Sequence, residues 1–167
     1  MDETLEREFE ARLVESSTLA FRVAYGVLRQ REDAEDVAQD AFVKAHRSFA
    51  QLRDRDRFRA WLVRMTWRLA IDRQRSDRRR LAREEDSTAE AVPCVEPVDI
   101  EAGERAAHLW AAIDALPEKL RIVVVLAGIE EQDIARVAQL LDVPAGTVKS
   151  RLFLARQRLK EQLQWTR

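Results

Sequence analysis

The sequence predicts an all-α fold: two small helical domains joined by a flexible acidic linker, the C-terminal one containing a helix-turn-helix. Three observations lead there. Apolar residues recur at helical spacing in both halves, strand-like runs are nearly absent, and two of the four prolines, Pro93 and Pro97, lie inside one acidic strip. The one β-branched run, Ile122 to Leu126, lies between Pro117 at a helix start and Gly128 at a helix end, so it reads as a buried helical turn. With 167 residues, 46% hydrophobic and 35% charged, the chain is globular rather than disordered. No internal repeat interrupts this picture.

The first domain, 1–80, is expected to hold helices near 3–29, 33–49 and 57–76. Asp33 is placed to cap the second, with Asp36 three residues on. Along that helix Ala34, Ala38, Ala41 and Ala45 form a small-residue face suited to close helix approach. Asp36, Gln39, Asp40 and Val43 share another face at i, i+3, i+4 and i+7. On spacing alone this acidic face is either solvated or a docking surface for a basic partner. The third helix carries Phe58, Trp61, Leu62, Met65 and Leu69 on one core stripe. Trp67 lies off it between Arg64 and Arg68, open between a second packing face and a platform for a stacked base. Ahead of this helix, Ser48 to Arg57 make a basic polar loop able to hold an unstacked base.

Residues 81–103 form the linker, containing Pro93 and Pro97 and ending at Gly103. The second domain, 104–167, is expected to have helices near 104–115, 118–129, 133–141 and 144–163. The last two matter most. Val137, Ala138, Leu140 and Leu141 lead into a turn at Asp142, where aspartate tolerates a left-handed backbone better than most residues. Pro144 then suits the first turn of the next helix. Asp133 is positioned to cap the first of the pair. In the second, Val148, Leu152, Ala155 and Leu159 recur as one buried stripe, leaving Lys149, Ser150, Arg156 and Lys160 outside. Small residues at the helix tip (Ala145, Gly146), then Thr147, Lys149, Ser150 and Arg151, are what a helix needs where it meets phosphates and base edges.

The net charge of −1 hides a segregation. Between Lys44 and Arg80 arginine dominates; from Glu84 to Glu104 there is no basic residue at all; from Lys149 to Lys160 the charge is basic again. Two polyanion-facing surfaces with an acidic connector fit this order. No apolar run approaches the roughly 20 residues needed to span a bilayer, and Met1-Asp2-Glu3 does not open a signal peptide, so no membrane insertion and a cytoplasmic location are expected. One cysteine, Cys94, and two distant histidines, His46 and His108, make neither a disulfide nor a zinc site, and no metal or cofactor is implied. Cys94 is either an incidental thiol or a redox handle.

The motif order resembles the extracytoplasmic-function branch of the bacterial RNA polymerase sigma factors, which carries only regions 2 and 4. The residues behind the resemblance are Asp33 to Phe42, Phe58 to Leu62, Leu69 to Asp72, Ala115 to Pro117 and Val143 to Leu152. It implies an alternative sigma factor, not an enzyme, that binds core polymerase and directs promoter recognition and transcription initiation. Asp36, Val37, Gln39, Asp40 and Phe42 would dock on the clamp helices of the largest subunit. Ser48, Phe49, Arg53, Arg55, Arg57, Arg64, Trp67 and Arg68 would meet the minus-10 element as single strand with a flipped base. Thr147, Lys149, Ser150, Arg151, Phe153 and Arg156 would meet the minus-35 element, with the C-terminal domain on the polymerase flap region. An anti-sigma factor is the expected regulator. Two other readings remain at this level: a self-contained helix-turn-helix regulator, and a helical nuclease holding magnesium on Asp36 and Asp40.

Overall fold

A computed structural model describes residues 2–85, 100–131 and 133–164, and among these there are helices and turns but no strand. α1 (Glu3–Leu28) starts on Asp2, whose carboxylate accepts the Leu5 N–H at 2.8 Å, and stops at Arg29 in a left-handed conformation, φ 57°. α2 (Arg31–Ser48) follows at once. Its N-cap is therefore Gln30, which makes no side-chain cap bond, and the cap expected at Asp33 is not formed. Asp33 lies in the first turn instead, where the helix dipole favours a carboxylate, and accepts a 2.7 Å bond from Arg73.

Two short 3-10 turns, Phe49–Gln51 and Arg55–Arg57, lead into α3 (Phe58–Glu85). This helix runs well past the expected 76. Arginine is a good helix former without any apolar stripe, and Asp77 bridges Arg73 at i−4 (3.2 Å) across the extension. α4 (Ile100–Asp114) likewise begins before 104, so both ends of the expected linker are helical. The rest of that linker, with Pro93, Cys94 and Pro97, lies outside the described residues. α5 (Glu118–Ile129) contains the β-branched run, with Val123, Val125 and Leu126 buried. α6 (Ile134–Leu141) and α7 (Ala145–Gln164) are the last elements among the described residues.

One core is built from rings: Phe9, Phe49 and Phe58 meet edge to face with centroids 5.2 to 5.9 Å apart, over Leu62 and the buried alanines Ala41 and Ala45. A second core crosses between the halves. Val23 and Val27 of α1 and Val63, Trp67 and Ile71 of α3 pack in one cluster with Val123, Leu126, Leu140 and Val148 of the C-terminal half. Each such side chain contributes about 1.5–3 kcal/mol on burial. The approach of α1 to α5 requires a glycine: a Cβ on Gly26 would stand 2.7 Å from Val125 Cγ1. Among the described residues no helix is long and apolar enough to cross a membrane.

Candidate nucleic-acid and docking surfaces

The helix-turn-helix forms as its residues dictate. Asp133 accepts the Arg136 N–H at 3.1 Å and so caps α6. Asp142 ends the helix at φ 56°, ψ 47°, donating to the Gln139 carbonyl, while the Val143 N–H closes on Ala138 at 3.1 Å. The helix proper begins at Ala145. Pro144 sits one residue before it, its carbonyl accepting from Thr147 (2.9 Å) and Val148 (3.3 Å). With Val148, Leu152 and Ala155 buried, Lys149, Ser150, Phe153 and Arg156 face outward and Thr147 and Arg151 are half-buried. Phe153 is 61% exposed and Leu154 48%, an apolar pair on a basic face. Such groups suit thymine methyls in a major groove.

On α2, Asp36, Gln39 and Asp40 are exposed as an acidic strip and Phe42 is half-buried. Val37, expected with them, is in the core instead, because it falls on the alanine side of the helix. Beside the strip a groove between α1 and α2 is lined by Thr18, Phe21, Glu35, Gln39 and Phe42, and Val43 stands exposed further along α2. Among the described residues no group of three or more potential metal ligands exists, so Asp36 and Asp40 are not part of such a cluster.

The loop from Ser48 to Arg57 is tied down rather than open. Arg55 bonds Glu8 at 2.8 Å and lies over the Phe49 ring, Arg12 reaches Asp56 at 3.2 Å, and Asp54 accepts the Asp56 N–H. Burial of the Arg12 guanidinium works against its charge, but bonds and charge from Asp56 and Glu8 outweigh it and raise its pKa. Leu52, Arg53, Asp54, Arg55 and Asp56 line a shallow depression in which Arg53 is exposed; Ser48, at the start of the loop, is half-buried. Phe49 differs from expectation: it is fully buried between Phe9 and Phe58, since the 3-10 turn rotates its ring inward. Trp67 is also corrected. It is 3% exposed in the core between the halves, its indole N–H 3.4 Å from Glu118, so its open role closes on packing in this structure. Arg68 is exposed.

Other arginines of α3 and of the 3-10 turn before it face the C-terminal half. Arg57 pairs with Asp142 at 3.0 Å, and Arg64 donates to the Leu140 carbonyl at 3.2 Å. The densest junction surrounds Asp114, whose carboxylate meets Arg29, Arg78 (3.0 Å) and Arg121 (2.7 Å). The Arg121 contact is a charge contact at an angle unsuited to a hydrogen bond, its Nη1 donates to Gln74, and its Nε has no hydrogen-bond partner. Burial pushes the Arg121 pKa down; Asp114 pulls it back, while Arg29 and Arg78 push it further. None of these partners was expected from sequence. One signal was present: a single arginine in the otherwise apolar run from Leu120 to Leu126 calls for a buried counter-charge.

The match to known proteins follows this division. The Sigma-70 region 2 family matches residues 13–80 and the Sigma-70 region 4 family matches 107–159. The ECF RNA polymerase sigma factor SigW of Bacillus subtilis is 31% identical, the alignment covering 86% of this chain and 82% of that protein. The chain belongs to the extracytoplasmic-function sigma factors. SigE of Mycolicibacterium smegmatis, also an ECF RNA polymerase sigma factor, is 36% identical over 86% of this sigma factor, which spans only 56% of that longer protein. Among solved structures, the sigma factor RpoE of Bartonella quintana, in complex with the anti-sigma factor NepR, has the same fold: TM-score 0.60 and 23% identity, covering 96% of this chain and 99% of that one.

Proposed function

We propose that this sigma factor docks on core RNA polymerase through the acidic strip of α2 and grips a promoter at two places, directing transcription initiation from the cytoplasm. The observation that carries the reading is the pairing of exposed Asp36, Gln39 and Asp40 on one module with an outward-facing, basic recognition helix on the other. Asp36, Gln39, Asp40 and Phe42 meet the clamp helices of the largest subunit. The depression around Arg53 and Arg55, together with Ser48, Arg57, Arg64 and Arg68, receives the minus-10 strand. Phe49, Trp67 and Val37 act by holding these elements in place. Lys149, Ser150 and Phe153 enter the minus-35 groove with Thr147 at the helix tip, and Arg151 and Arg156 stand nearer the backbone, while the C-terminal module engages the polymerase flap region. An anti-sigma factor is a further proposed partner, supported by the one bound to the Bartonella relative.

Reconstitution with core polymerase and run-off transcription from promoters in the chain's own genomic neighbourhood tests this. Association and specific transcripts are expected; a chain that binds isolated promoter duplex tightly as a dimer and ignores polymerase is instead a self-contained regulator. Asp40→Arg should abolish core binding with helix content unchanged, and an unchanged affinity would show the strip to be merely solvated.

A further inference from the structure

Around Asp114 lies a recess of about 130 Å3 whose charges do not balance. Arg75 and Arg78 of α3 and Arg121 of α5 wall it together with Asp114 and Glu118, and Ile71 and Leu116 supply apolar walls. Arg29, paired with the same Asp114 carboxylate, brings the guanidiniums to four against two carboxylates, a surplus of two positive charges. Both carboxylates are already shared: Glu118 accepts from Arg75 at 3.3 Å and from the Trp67 indole at 3.4 Å, and Asp114 meets Arg29, Arg78 and Arg121. Arg121 carries the imbalance into the interior. It is 5% exposed, its Nη1 donates to the Gln74 side-chain oxygen at 2.9 Å, its Nη2 meets Asp114 off the hydrogen-bonding direction, and its Nε has no hydrogen-bond partner among the described residues. Gln74 supplies that single acceptor, because its amide nitrogen is a donor and is engaged by the Val27 carbonyl at 3.0 Å. A guanidinium presents five N–H donors and accepts nothing, so the group that would complete this recess is an acceptor bearing negative charge. Burial pushes the Arg121 pKa down, and although Asp114 pulls it back, Arg29 and Arg78 push it further down, as expected where positive charge is in excess.

We infer that this recess is a binding site for one tetrahedral oxyanion, a phosphate or the phosphoryl group of a small phosphomonoester. A planar guanidinium fork matches two oxygens of such a group, and its dianion cancels the two surplus charges. Each of its four oxygens is about the size of a water, which occupies about 30 Å3, so the recess holds one such group and excludes a nucleic-acid strand. Entry is from the α3 side. Arg75 and Arg78 are each more than half exposed, and the same two side chains also wall a larger, more open recess with Asp72 and Arg79, whose charges cancel. None of the walls is a residue assigned to polymerase or promoter, so the site does not depend on that reading.

Isothermal titration of the full chain with inorganic phosphate, at an ionic strength held constant with sodium chloride, tests this. One site with a Kd at or below about 1 mM is expected, and the melting temperature should rise with phosphate, as binding to the folded state alone requires. Arg78→Gln alters an exposed side chain at the mouth and should weaken phosphate binding about tenfold or more, with the circular dichroism spectrum unchanged. Arg79→Gln removes the same charge from the outer recess alone and should change the affinity less than about twofold. Glu118→Gln removes a competing carboxylate from the wall and should tighten phosphate binding about three- to tenfold, a gain that misfolding cannot produce. Glycerol 2-phosphate binding as tightly as inorganic phosphate identifies the phosphoryl group as the ligand, and its exclusion identifies the free ion. The site is overturned by the absence of saturable phosphate binding up to about 10 mM, by an effect that chloride matches at equal ionic strength, or by equal losses from Arg78→Gln and Arg79→Gln.

Discussion

Replacing Phe49 separates a structural aromatic from a base-stacking one. Its ring is fully buried, walled by Phe9 at 5.2 Å and Phe58 at 5.5 Å, with the Arg55 guanidinium 5.6 Å above. Phe49→Ala removes the buried ring and leaves a void that two neighbours, Phe9 and Phe58, themselves packed edge to face, cannot collapse into. Such truncations cost about 3–5 kcal/mol. Two edge-to-face pairs are lost, each worth about 0.5–1.5 kcal/mol beyond area, which places the cost in the upper half of that range, about 4 kcal/mol. For a chain of this length about 4 kcal/mol lowers the melting temperature by roughly 8–16 °C. Urea unfolding followed by circular dichroism measures it. Phe49→Leu keeps most of the buried volume and should recover most of the stability, together with promoter opening in a permanganate footprint. The opposite pattern would refute the reasoning: a stable Phe49→Ala protein, or a stable Phe49→Leu protein unable to open the minus-10 region.

Gly26→Ala should destabilise the joint between the halves by about 1–3 kcal/mol despite the better helix propensity of alanine, because its Cβ meets Val125 Cγ1 at 2.7 Å; Val125→Ala in the same chain should restore part of the loss in thermal unfolding. Lys149→Ala should weaken binding at particular minus-35 positions by about 1–3 kcal/mol in a competition series over single-base variants, whereas a uniform loss with a shallower salt slope marks a phosphate contact. Asp40→Arg, by reversing the charge of the exposed α2 strip, should cost core polymerase binding more than Asp36→Asn does, measured as apparent Kd under one salt condition.

Local features were legible wherever one residue settles its own neighbourhood. The Asp133 cap, the left-handed Asp142 and the Val148, Leu152, Ala155 stripe follow from side-chain chemistry and a 3.6-residue period, and all three are formed. Asp33 was a good cap on the same grounds but lost to position: α1 ends at Arg29 so close by that α2 must begin at Arg31. α3 outran its apolar pattern because arginine propensity and the Arg73 pairing with Asp77 sustain a helix that periodicity does not announce. Phe49 and Trp67 beside arginines look alike in sequence whether they stack on bases or pack, and burial is decided by residues far away, Phe9 in one case and Glu118 in the other. The contacts of Arg29 with Asp114 and of Arg57 with Asp142 join positions 85 apart and leave no periodic trace at all.

Because α3 continues to Glu85 and α4 starts at Ile100, the chain between them reaches at most about 50 Å when fully extended. A leash of that reach keeps the halves at an effective mutual concentration on the order of millimolar after they part. Parting of the halves would therefore not be dilution: the carboxylates that meet the arginines of α3 would stay within reach. Any surface that holds the halves apart must compete continuously against that local supply.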